Sequence, residues 1–204
     1  MKPSQDTSTK DRLLASGAEL FAEKGFDGVS VRQICAHAST SMNMIHHYFK
    51  SKQGLLDGII EQYTSNVLGV PMRLLEKPAR SKEDLLSRLE LLFETTLEAY
   101  IEHRSLMLVV IREQTSPPAL LQYMDRFAKF LEQSKKRGFV RKELDIQMVT
   151  GAMLDRILNQ VQFAPLLKRT YGIDIMNDAK YRQRWCASNI DLFLHGIVQV
   201  QSRS

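Results

Sequence analysis

The stretch "SVRQICAHASTSMNMIHHYFKSK", residues 30–52, decides the fold. Ser30 with Gln33 three residues on is a capping-box pattern, in which a hydroxyl and an amide side chain satisfy the first free N–H groups of a helix. Val31, Ile34, Cys35 and Ala38 then form the buried side of about two turns. "AST" at 38–40 breaks that periodicity. Ser41 is placed to cap a further short helix through about His47, with Met44 or Ile45 and Tyr48 turned inward. Ser51 caps the next helix, whose apolar positions Leu55, Leu56, Ile59, Ile60 and Tyr63 carry it to about Leu68, where Pro71 is expected to end it. The unit is helix, tight turn, helix.

Upstream, residues 1–8 are polar, contain a proline and read as a flexible arm. From Thr9 to Lys24, Leu13, Leu14, Ala18, Phe21 and Ala22 fall at helical spacing, and Lys24-Gly25 supplies a basic last turn and a left-handed C′ residue. Downstream, 83–103, 105–114 and 118–138 are helical, with proline or glycine at the breaks. Two longer segments follow, Asp145 to about Leu167 and Asp178 to about Val200, joined by "KRTYGIDIMN". No strand-like alternation competes, so the expected architecture is all-α, with about nine helices.

Composition bounds the function. The chain has 204 residues, 44% of them apolar, and carries a net charge of +5. That excess lies after residue 70, because residues 1–70 hold 7 basic and 7 acidic side chains. Bulk charge is therefore weak support for nucleic-acid binding. Gly28 to Leu56 differs, with Arg32, Lys50, Lys52, three histidines and no acid, so it can face phosphate without self-repulsion. Two distant cysteines and no charged-then-apolar leader point to a reducing cytoplasm. The apolar run "LMLVVI" at 106–111 is far below the roughly 20 residues a bilayer requires, so no membrane partner is expected.

The adjacent His46 and His47 raise the question of a metal. Neighbouring helical residues project about 100° apart and cannot readily chelate one ion, and "CAH" at 35–37 has no zinc spacing, so no metal or other cofactor is expected. There is no Gly-rich phosphate loop, nucleophile elbow, HExxH or paired carboxylate in an apolar setting, which leaves an enzyme without machinery. Cys35 and Cys186 read as small buried hydrophobes.

Residues 10–60 resemble the DNA-binding domain of TetR-type bacterial repressors, most specifically through "ELFAEKGFDGVSVRQI" and "YFKSKQGLL". The resemblance implies a three-helix DNA-binding domain over 9–68, with 51–68 as the connecting helix, and a larger ligand-binding and dimerisation domain over 71–204. It places base-reading positions on Arg32, Met42, Asn43, Met44 and His47. Phosphate-contacting positions fall on Ser30, Thr40, His46, Tyr48 and Lys52, with Ser41 at the start of the reading helix. Three residues depart from the family pattern. Ser39 replaces the turn glycine, Asn43 a small residue, and His46 a phosphate-touching tyrosine, which would make contact pH-sensitive near an ordinary imidazole's value of about 6.5.

The implied partners are a palindromic double-stranded operator, a small-molecule effector and a second copy of the chain. Effector binding would shift the fourth helix and move the two reading heads out of their matched spacing. Candidate pocket residues are Phe93, Tyr100, Met107, Arg112, Tyr123, Phe127, Gln160 and Phe163. Surplus apolar faces predict a four-helix dimer interface through Met153, Ile157, Val161, Ile190, Phe193, Leu194 and Ile197, with Leu154 and Leu158 beside them. Gly54 and Gly58 either soften the transmitting helix or let its neighbours approach. The rival reading is an effector-free architectural or cell-division DNA binder of the same fold, whose larger domain would have a closed, side-chain-filled core.

Overall fold

The computed structural model describes residues 8–114 and 118–197, the side chains at 194, 196 and 197 excepted. Ten helices and no strands occur among the described residues: α1 Thr9–Lys24, α2 Val31–His37, α3 Asn43–Phe49, α4 Lys52–Leu74, α5 Lys82–Glu102, α6 Arg104–Arg112, α7 Pro118–Lys136, α8 Ile146–Gln162, α9 Ala164–Tyr171 and α10 Ala179–Ile197. The fold is the all-α architecture expected. Residues 1–7 of the expected arm lie outside the described residues, while Ser8 caps α1 by accepting from the Asp11 N–H.

The chain divides into two compact units. One runs to Ser65 and takes in the stretch from Ser105; the other runs from Asn66 to Arg104 and resumes at Pro118. In the first unit α1 packs on α2 and α3, and α2 on α3. Its core contains Leu13, Phe21, Ile34, Ile45, Leu55 and Ile59, each no more than 2% exposed. Burying several such side chains, at about 1.5–3 kcal/mol each, is what lets helices as short as α2 and α3 persist. In the second unit α8 packs on α5 and α7, and α10 packs on α5.

Several boundaries differ from expectation for physical reasons. Pro71 does not end α4, which continues to Leu74. An interior proline costs about 3 kcal/mol, but Val67, Leu68, Pro71 and Leu75 are all buried and continue one apolar stripe. The expected helix from Asp145 to Leu167 breaks at Phe163, because Pro165 lies in the first turn of a separate helix, α9. Consequently "KRTY" is helical, and the linker begins at Gly172, which takes φ +71°. In α3 it is Ile45 and Phe49 that are buried, whereas Tyr48 is exposed. Ser41 does not cap that helix with its side chain. Met42 holds the N-cap position without a side-chain bond, and the Ser41 carbonyl accepts from the Met44 N–H.

The residues expected on the dimer face differ in their surroundings. Met153, Ile157 and Val161 are at most 3% exposed within the single chain, because the face of α8 that carries them is covered by its own unit. Ile190 and Phe193 are half-buried, and the Phe193 ring lies 6.2 Å from that of Phe93. The side chains of Leu194 and Ile197 lie outside the described residues.

Candidate nucleic-acid interface

Sequence sets the reading unit's local geometry at four points. The Ser30 hydroxyl accepts from the Gln33 N–H while the Gln33 side chain accepts from the Ser30 N–H, completing the capping box that starts α2. Ser39 takes φ +51° in the turn, the left-handed backbone expected where the family has glycine. The turn closes by N–H bonds from Ser39 to the Ala36 carbonyl and from Thr40 to the Cys35 carbonyl. Lys50 takes φ +67° after α3, and Ser51 then opens α4 by accepting from the Gly54 N–H.

This scaffold leaves Ser30, Arg32, Ser41, Met42, Asn43, His46, His47 and Tyr48 exposed, with Thr40 and Met44 half-buried. Met42, just before α3, is 57% exposed. His46 Nδ1 lies 3.0 Å from the Lys50 carbonyl. A carbonyl only accepts, so Nδ1 carries the proton in this pose and neutral His46 presents a bare lone pair at Nε2. The His47 and Tyr48 rings meet edge to face at 4.7 Å, and the Lys50 ammonium donates to the His47 carbonyl at 3.4 Å.

Lys52 is placed differently from the other phosphate candidates. It is half-buried, and its ammonium donates to the carbonyls of Phe26 at 2.9 Å and Val29 at 3.0 Å while lying 4.1 Å from the centre of the Phe26 ring.

The glycines of α4 are places of close approach. A Cβ at Gly54 would meet the Phe49 carbonyl oxygen at 2.0 Å; one at Gly58 would meet Leu14 Cδ2 at 3.2 Å and the Phe49 ring at 3.3 Å. A groove of about 550 Å³ between α1, α3 and α4 carries Lys10 and Lys50 beside Asp11, Asp57 and Glu61, a mixed charge unlike a phosphate track. Among the described residues no group of three or more His, Cys, Asp or Glu is arranged for a metal. Burial raises the Cys35 thiol, and burial followed by Glu94 and Glu98 pushes Cys186 up to about 11, so both remain thiols at neutral pH.

Of the pocket candidates in the second unit, Phe93, Tyr100, Tyr123, Phe127 and Gln160 are buried, and Phe163 is 47% exposed at the α8–α9 junction. Met107, 1% exposed, belongs to the first unit. Arg112 also belongs to the first unit, where it is exposed and donates to the carbonyls of Ala22 and Glu23 at the end of α1. Two groups were missed at the sequence level. Thr96 Oγ1 and Trp185 Nε1 are buried with no hydrogen-bond partner among the described residues. Trp185 stacks on Phe93 at 5.4 Å, and the Arg156 guanidinium lies 5.3 Å from its ring centre. Nothing in the spacing of a single tryptophan or threonine announces an unpaired polar atom.

Residues 13–59 match the family model described as "Bacterial regulatory proteins, tetR family". The HTH-type transcriptional repressor KstR2 of Mycolicibacterium smegmatis is 26% identical over 158 residues, 72% of this chain and 75% of that protein. The probable HTH-type transcriptional regulator YttP of Bacillus subtilis is 33% identical over 120 residues, 56% of this chain and 55% of that protein. Among solved structures, the ketosteroid transcriptional regulator KstR2 of Mycobacterium tuberculosis superposes with a TM-score of 0.72 at 22% identity, covering 96% of this chain and 98% of that one.

Proposed function

Since the chain is a DNA-binding transcriptional regulator of the TetR family, we propose that it acts as a repressor, bound as a dimer to a palindromic operator and released by a largely apolar small molecule. The observation that carries the DNA part is the exposed tip of α3, held on a capped and buried scaffold. Its side chains suit base edges: an amide at Asn43 can bond bidentately to adenine, and the Met42 thioether can cover a thymine methyl. Ser30, Thr40 and Tyr48 flank them with hydroxyl groups for phosphate, whereas His46, its Nδ1 proton turned to the Lys50 carbonyl, becomes a donor only with a proton on Nε2 as well.

A second copy is required to set two reading helices about one helical turn apart, roughly 34–36 Å. With Met153, Ile157 and Val161 engaged internally, the proposed dimer face is carried by half-buried Leu154, Leu158 and Ile190 and by Leu192, which is 70% exposed. For the effector, buried aromatics in the second unit favour an apolar body. Trp185 Nε1–H, a buried donor whose missing partner costs about 1–3 kcal/mol, favours an acceptor such as a carbonyl or carboxylate on that body. The KstR2 relatives, a transcriptional repressor and a ketosteroid transcriptional regulator, are consistent with both features.

The test is selection of bound fragments from the host's DNA, followed by salt titration of the enriched site. A preferred palindrome bound at least 10³-fold over nonspecific DNA is expected, and no preferred site refutes the regulator reading. His47→Ala should alter the selected sequence; unchanged selection removes His47 from the base-reading set.

A further inference from the structure

The connection between α1 and α2, residues 25–29, is held from two sides by charge. On one side the Glu113 carboxylate accepts the Phe26 N–H at 2.8 Å, and Arg112, its neighbour at the end of α6, donates to the carbonyls of Ala22 at 3.2 Å and Glu23 at 2.7 Å. These are the orphan carbonyls of the last turn of α1, where a cation is favoured. Gly25 turns there at φ +79°, and a Cβ on it would meet Arg112 Nε at 3.1 Å, so the guanidinium lies directly against the turn. On the other side the Lys52 ammonium, in the first turn of α4, donates to the Phe26 and Val29 carbonyls and sits over the Phe26 ring. That ring in turn packs on Phe21 at 5.3 Å.

Phe26 is thus gripped at both ends, N–H by an anion and C=O by a cation. Charge-assisted bonds are roughly twice as strong as neutral ones. Directly after the gripped segment come buried Val29 and the α2 cap Ser30, followed by Arg32. An ammonium has three protons and no acceptor. Two of those protons are directed at carbonyls, and the ring covers a further side.

We propose that Lys52, Arg112 and Glu113 are positioning residues that hold the 25–29 connection, and with it the start of α2, in the pose required for DNA binding, and that the Lys52 charge is committed inside the protein instead of to a phosphate. This replaces the phosphate role that resemblance assigns to Lys52. It rests on the DNA-binding reading for its consequence, but not for its geometry.

Two measurements on the full-length protein test it. The first is hydrogen exchange at the Phe26 amide. Glu113→Ala should speed exchange about tenfold, the scale of one charged hydrogen bond. Glu113→Gln, which keeps the reach and an accepting oxygen but loses the charge, should give a smaller rise and serves should the alanine variant fail to fold. Unchanged exchange in the folded variants overturns the proposal.

The second is the salt dependence of DNA affinity. Lys52→Met should weaken binding while leaving the slope of log K against log salt unchanged, whereas loss of a phosphate contact lowers it by about 0.9. Combined with Glu113→Ala, the loss of affinity should be less than the product of the two single losses, because both act through Phe26. A slope reduced by about one, or independent losses, overturns the proposal. Absence of any preferred site in the wild type would refute the repressor reading while leaving the exchange result and the slope on nonspecific DNA as they stand.

Discussion

Gly54→Ala is the substitution for which close packing and helix propensity give opposite signs, and the geometry determines which prevails. The new Cβ would lie 2.0 Å from the Phe49 carbonyl oxygen, and real Cβ contacts essentially never fall below 3.0 Å, so backbone must move by about 1 Å. That oxygen precedes Lys50, already at φ +67°, and the Phe49 ring is buried against Gly58, so no side-chain rotation relieves the clash. Overpacking typically costs about 1–3 kcal/mol, and a rigid backbone neighbour argues for the upper end. Replacing a helical glycine with alanine returns about 1 kcal/mol. The net expectation is a loss of about 2 kcal/mol, or roughly 4–8 °C in the melting temperature of a chain this size. Thermal unfolding followed by helical circular dichroism measures it, with two internal controls. Gly58→Ala meets only the Leu14 side-chain tip and the Phe49 ring, at 3.2 and 3.3 Å, and should be close to neutral. Gly151→Ala, with nothing within 4 Å of the new Cβ, should stabilise by about 0.5–1 kcal/mol. If Gly54→Ala stabilises as Gly151→Ala does, close approach is not why position 54 is glycine, and the softening alternative gains.

Other expectations follow from single contacts. Ser30→Ala removes one half of the α2 capping box and should cost about 1 kcal/mol, read from the same melts; an unchanged midpoint would mean that the cap contributes nothing. The Asp84 carboxyl is held below its ordinary 3.8, chiefly by the Arg80 N–H and then by Arg88. A lowered folded value means a stabilising contribution that is fully present above about pH 4 and lost as pH falls through that value. Asp84→Asn should therefore lower the melting temperature at pH 7 and by a shrinking margin below pH 4; an equal margin at pH 3 and 7 counts against it. For His46, whose Nδ1 proton faces the Lys50 carbonyl, a phosphate bond at Nε2 requires a second proton. His46→Tyr, whose hydroxyl donates without any change at the Lys50 carbonyl, should therefore strengthen operator binding, read by the same salt titration; unchanged affinity removes position 46 from the phosphate contacts.

The fold was legible wherever local chemistry and burial agree. Ser30 and Ser51 each accept the N–H of the residue three positions on, as their spacing predicts, and Leu13, Phe21, Ile34, Leu55 and Ile59 on the apolar stripes are buried. Where the two conflict, the sequence misleads. Pro71 is a stop signal locally, yet α4 runs through it because the stripe from Val67 to Leu75 remains buried. Pro165 went unheeded within a long apolar period, and there the local signal prevailed, opening α9. Tyr48 fitted a helical period from Ile45 but gave the inward place to Phe49.

The site shows the same division more sharply. Exposure of Met42, Asn43, His46 and His47 follows from a helix whose other face is taken by Ile45 and Phe49, so the exposed tip could be found from periodicity and resemblance alone. Contacts across long sequence separation could not. Glu113 and Phe26 stand 87 residues apart, and Arg112 and Ala22 stand 90 apart, with no pattern linking them. Lys52 is the instructive case, because position and charge made it look like a phosphate ligand while two carbonyls and a ring compete for the same ammonium. A motif fixes which residue type stands at a place in the fold. What that residue does there depends on which partner reaches it first, and for Lys52 those partners lie 23 and 26 residues upstream in its own chain.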